Sequence, residues 1–159
     1  VNKIDNLYLS HVYFIFQFVA LSWFFLLIVR NQHYKTVLQL LTGLVLLFLL
    51  VQYTITPEKF WTFNLTEIIL CSLPIVLHSV IFFFQSLENS EKKLLYLNSG
   101  IFVYLLCSTL IFVAGNYVSP KETFWYQFIW VLNAFLYLIY MVLIFIEWYK
   151  HLRKRELVR

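Results

Sequence analysis

Glu67, Cys71, Pro74, His78 and Gln85 carry most of this chain's chemical potential, and their spacing is helical. At 100° per residue the five side chains project within about 60° of one another. Their segment is otherwise apolar, and polar groups facing lipid are costly, so the stripe should face protein or a water-filled cavity. Two uses fit it. One is a pocket or polar conduit lined by this helix. The other is interhelical hydrogen bonding, worth about 0.6 kcal/mol per contact, with Pro74 kinking the helix for shape. His78 divides the same way: an ionisable residue near a membrane midplane marks a functional site, whereas a lone histidine also serves as a satisfied interior group.

Two other apolar segments carry polar faces. Gly100, Tyr104, Cys107, Ser108 and Gly115 share an arc of about 100°, which suits close approach of a neighbouring backbone. Asn133, Tyr137, Tyr140 and Glu147 share about 80°, facing either a ligand or a partner helix. His11, Gln17, Gln52, Glu67, Asn116 and Gln127 all fall in the outer half of the predicted topology, and predict an outward-facing polar cavity. Its candidate lining is His11, Glu67, Cys71, His78, Gln127, Asn133 and Tyr137, with Glu67 as its acid and His78 at its floor.

Several reaction chemistries fail on geometry. A bis-histidine haem needs two imidazoles at similar depth, but His78 lies about 20 Å into its span and His11 only about 6 Å. No lysine sits inside a span to form a retinal Schiff base. Glu67 and Glu147 lie near interfaces rather than at the depth an ion pump requires. No zinc-hydrolase motif, nucleophile elbow or phosphate loop occurs. Cys71 and Cys107 fall inside spans without metal-site or disulfide spacing. The residues therefore predict neither an enzyme, a metal site nor a cofactor.

The elements that position these residues follow from hydropathy. The chain is 62% hydrophobic and 13% charged, well outside the soluble range. A bilayer-spanning helix needs about 20 mostly apolar residues. Five such stretches occur, at 7–29, 36–55, 65–87, 94–118 and 124–149, and Lys, Arg, Asp and Glu enter them only at the ends. The runs are too long and too uniform for barrel strands. The expectation is an all-α integral membrane bundle of five transmembrane helices, one transmembrane domain over 1–159 with no soluble domain. Pro57 and Pro120 follow helix stops, and Trp61, Trp125 and Trp148 fit an interfacial aromatic belt. Lys and Arg number three on the N-terminal face (Lys3, Lys59, Lys121) and nine on the other. The positive-inside rule then places the N-terminus outside and the C-terminus in the cytoplasm of a multi-pass membrane protein. Lys150, Arg153, Lys154 and Arg155 form a juxtamembrane cluster suited to anionic lipid or a cytoplasmic partner, and nothing points to nucleic acid. The start at Val1 rather than Met suggests a piece of a longer chain.

Three stretches carry a resemblance. They are Leu9-Ser10-His11-Val12-Tyr13-Phe14 with Gln17, Tyr96-Leu97-Asn98-Ser99-Gly100-Ile101 with Tyr104, and Trp130-Val131-Leu132-Asn133-Ala134 leading to Phe145-Ile146-Glu147-Trp148. They resemble an uncharacterised group of small bacterial polytopic membrane proteins with about seven helices and links to two-component signalling. The resemblance implies a bacterial inner-membrane location, two helices missing before Val1, and no catalytic or binding residue to carry over. Three functions are in view. The leading one is a sensory or signalling module coupled to a cytoplasmic partner such as a histidine kinase. The second is a structural or accessory subunit. The third, a small-solute transporter or channel, lacks charged pathway residues and broken helices.

Overall fold

The computed structural model describes residues 7–88, 94–117 and 123–152. Five long helices account for most of them: α1 (Leu7–Ile28), α2 (Gln32–Ile55), α3 (Leu65–Glu88), α4 (Leu95–Gly115) and α5 (Thr123–Glu147). A 3₁₀ turn occupies Pro57–Trp61 and a π-helical turn Trp148–Leu152. All five helices are long and apolar enough to cross a membrane. The protein is an all-α, polytopic membrane protein. It divides into two compact units, Val1–Ile75 and Val76–Arg159, with the division inside α3 just past Pro74. The helix itself runs through Pro74, although proline offers no amide to the preceding turn.

In the first unit, burial follows narrow stripes. His11, Phe18, Ser22, Phe25 and Val29 are buried along α1 and its end, and Leu38, Val45 and Leu49 along α2. Steps of three, four and seven residues keep such positions on one helix face. Other large apolar side chains, such as Phe16 and Ile55, are exposed, which suits hydrocarbon surroundings. The α2 helix begins at Gln32, ahead of the apolar run that opens at Thr36. The reason is a cap: Asn31 Oδ1 accepts the His33 amide at 2.9 Å.

In the second unit, α4 packs against both neighbours. Asn98 is fully buried and exchanges hydrogen bonds with α3. Its Nδ2 donates to Ser79 O at 3.0 Å, and Ser79 Oγ donates to Asn98 Oδ1 at 2.9 Å. Toward α5, Ser108 Oγ donates to Asn133 Oδ1 at 2.6 Å. Tyr104 stacks on Tyr140 with centroids 5.3 Å apart. A Cβ at Gly100 would lie 2.9 Å from the Tyr140 ring and 3.3 Å from Leu143 Cβ. The small-residue face of α4 is thus a close-packing seam for α5.

Candidate functional site

The strongest polar constellation lies in the first unit, where α1, α2, the 3₁₀ turn and the start of α3 meet. Local sequence builds it. The α2 helix stops at Thr56, whose amide bonds back to Gln52 O at 2.8 Å, because Pro57 cannot extend it. Gln52 and Tyr53 therefore occupy its last turn. The 3₁₀ turn returns the chain and brings Phe60 with it. Asn64 then caps α3, with Oδ1 accepting the Glu67 amide at 3.4 Å. Asn-x-x-Glu is a helix-start signature, and a carboxylate in the first turn is favoured by the helix dipole.

Glu67 is fully buried, yet its side chain serves other helices rather than its own cap. His11 Nδ1 meets Glu67 Oε2 at 2.6 Å, and Tyr53 Oη donates to the same oxygen. Tyr53 Oη also lies 3.1 Å from His11 Nδ1. Asn64 Nδ2 donates to Tyr53 Oη and to Gln52 Oε1, each at 3.3 Å. Phe60 stacks on the imidazole at 5.4 Å, and Tyr53 stands edge-on to both rings. One carboxylate oxygen therefore joins three helices under an aromatic cover.

The same two residues have unused valence. His11 Nε2 and Glu67 Oε1 are buried and have no hydrogen-bond partner among the described residues. Buried polar atoms in native proteins nearly always have partners, which makes this pair the candidate contact point for a polar group. Beside the cluster runs a groove of about 470 Å³ lined by Ile15, Leu46, Leu49, Leu50, Tyr53 and Thr54. Thr54 Oγ1 is committed to Leu50 O at 2.6 Å, so the groove offers shape more than polarity. Among the described residues no group of three or more His, Cys, Asp or Glu is placed to hold a metal ion.

The candidates named from sequence separate between the units. His11 and Glu67 are brought into direct contact, and Cys71 is buried one turn further along α3. His78, Gln127, Asn133 and Tyr137 belong to the second unit. There His78 is buried, Gln127 is exposed, Asn133 receives the Ser108 hydroxyl, and Tyr137 meets Tyr104 edge-on while staying 42% exposed. Lys150 Nζ donates to Tyr96 Oη at 3.0 Å, while Arg153, Lys154 and Arg155 lie outside the described residues. Along α3, Glu67, Cys71, Pro74 and His78 are all buried, and only Gln85 is half-buried. The sequence reading missed Tyr53, Phe60 and Asn64. Asn64 had a legible signal in its three-residue spacing from Glu67. Tyr53 and Phe60 had none, since nothing in a single sequence shows that the α2 end meets His11.

No protein-family model, curated protein or solved structure matches the chain.

Proposed function

We propose that this protein is a membrane sensory module that receives a small polar ligand at His11 and Glu67 and catalyses no reaction itself. The observation that carries this reading is the pair of buried, unpartnered atoms, His11 Nε2 and Glu67 Oε1, in a cluster joining three helices. A ligand bonded there would change the restraint among α1, α2 and α3, which is how binding energy biases a conformational equilibrium. The charge asymmetry of the sequence supports an orientation with the cluster on the outer side and the basic stretch from Lys150 through Arg153, Lys154 and Arg155 in the cytoplasm. That stretch would contact anionic lipid and a signalling partner, in keeping with the resemblance to proteins linked to two-component systems.

The test is thermal unfolding of the purified protein against a panel of amines, amino acids, polyols and sugars. A specific solute should raise the midpoint of the wild type, because a ligand that binds only the folded state stabilises it by mass action. The rise should vanish in His11→Leu and Glu67→Gln. A panel in which every effect persists in both variants removes the reading.

The second reading, an accessory subunit, would use an exposed apolar face that lipid could also cover. Large apolar side chains are exposed along α5, from Phe124 and Trp130 to Phe135 and Phe145. Quenching by brominated lipid, with Trp130 as the single tryptophan, separates the two readings. Full quenching means lipid covers this face and counts against a subunit contact there. Protection supports one.

A further inference from the structure

Glu147 ends α5 and is 2% exposed. Its two carboxylate oxygens are used on another helix. Oε1 accepts the Leu94 amide at 2.8 Å, and Oε2 accepts the Tyr96 amide at 3.0 Å. These amides open α4, where the cap position is Leu94 and no side chain of that segment caps the helix. The leucine side chain has no oxygen to offer, so the first turn of α4 would otherwise leave amide donors unsatisfied. A carboxylate at that end is also favoured by the helix dipole.

Two neighbouring features mark the contact as more than a cap. Leu94 has φ 63° and ψ 9°, the left-handed conformation that disfavours residues with a Cβ. Such a conformation persists only where the surroundings enforce it. The chain also passes directly from Glu147 into the π-helical turn, a geometry that is rare and concentrated at functional sites. Within that turn Lys150 Nζ donates to Tyr96 Oη and lies 4.7 Å from the Tyr96 ring centroid. The end of α5 is thus fastened to the start of α4 by one side chain just before the π turn and one within it.

We propose that Glu147 is a latch between helices: the last residue of α5 caps α4, and this contact sets the register in which the chain leaves α5. Engaged, it imposes the left-handed Leu94 and holds the π turn against Tyr96. Released, it frees the first turn of α4 and the exit from α5 together. The latch does not depend on what the His11–Glu67 cluster binds.

Amide hydrogen exchange of the full chain in lipid nanodiscs tests the contact. In Glu147→Ala the Leu94 and Tyr96 amides should exchange at least tenfold faster, with Glu147→Gln between it and wild type and the mid-helix Leu105 amide unchanged. Unchanged Leu94 and Tyr96 exchange in Glu147→Ala overturns the proposal, and where that variant does not fold, Glu147→Gln gives the same reading. A second measurement tests the latch rather than mere packing. Leu94→Gly should raise the melting temperature while Glu147 is present, because glycine adopts the imposed conformation without strain. In the Glu147→Gln background the rise should shrink, since the weakened latch no longer enforces that conformation. An equal rise in both backgrounds means Glu147 does not impose the conformation, and the latch is wrong.

Discussion

Glu67 concentrates the energetics of the first unit on one atom, since Oε2 takes both the His11 imidazole and the Tyr53 hydroxyl. Hydrogen bonds to charged groups contribute about 1.5–3 kcal/mol each. Tyr53→Phe keeps the ring against Phe60 and removes only the hydroxyl, so it should destabilise the protein by about 1.5–2 kcal/mol, in the lower part of that range. The loss should depend on His11. With both donors on one oxygen, the double variant Tyr53→Phe/His11→Leu should depart from additivity by at least about 0.5 kcal/mol. Denaturant unfolding in detergent measures both quantities, and strict additivity would mean that the two donors do not share an acceptor. His78 supplies the contrast in the second unit. It is buried, and if it serves only as an interior group, His78→Leu will alter stability while leaving ligand-induced shifts at His11 and Glu67 intact.

Among the helices, glycines separate packing from propensity. Replacing glycine with alanine inside a helix gains about 1 kcal/mol of intrinsic propensity. At Gly43 an added Cβ meets nothing within 4 Å, so Gly43→Ala should stabilise by up to about that amount. At Gly100 the added atom meets Tyr140, itself stacked flat on Tyr104, and Leu143 Cβ, which is fixed to the α5 backbone. Overpacking costs about 1–3 kcal/mol, so the larger, β-branched Gly100→Val should be clearly destabilising. Unfolding midpoints moving in the same direction for both substitutions would contradict the α4–α5 seam. That seam was legible in the sequence because Gly100, Tyr104, Cys107, Ser108 and Gly115 recur at helical spacing, and periodicity is a local property of a chain. The stripe on α3 was legible for the same reason, and its burial agrees. What could not be read were contacts closed by tertiary structure. Hydropathy windows ended at Ile55 and resumed at Leu65, so Asn64 and Phe60 counted as connection. Glu147 looked like an interfacial acid because its partners are backbone amides, which carry no sequence signature. Asn98 was visible only as one polar residue in an apolar helix, without its reciprocal partner Ser79.

Across the whole molecule, the distribution of charge makes a prediction that neither compact unit makes alone. Nine of the twelve basic residues lie on one predicted face and three on the other. Orientation follows Lys and Arg in short loops and near helix ends, with acids contributing little. The chain expressed by itself in a bacterial inner membrane should therefore place its C-terminus in the cytoplasm. A C-terminal fluorescent-protein fusion should be bright and a C-terminal alkaline phosphatase fusion inactive, with the phosphatase active when inserted in the turn that carries Lys59. The tail supplies five of the nine: Lys150, Arg153, Lys154, Arg155 and Arg159. Replacing those five with Gln leaves four against three, a bias too small to fix one orientation, so both reporters should show activity at the C-terminus. The latch at Glu147 sharpens the interpretation, because Lys150 also donates to Tyr96. Restoring Lys150 alone should recover the Tyr96 contact with little return of orientation, whereas restoring Arg153, Lys154 and Arg155 should return orientation without that contact. A tail whose basic residues can all be replaced without mixing the reporters would show that the other spans set the topology, and the basic stretch would then be free to serve only its lipid or partner.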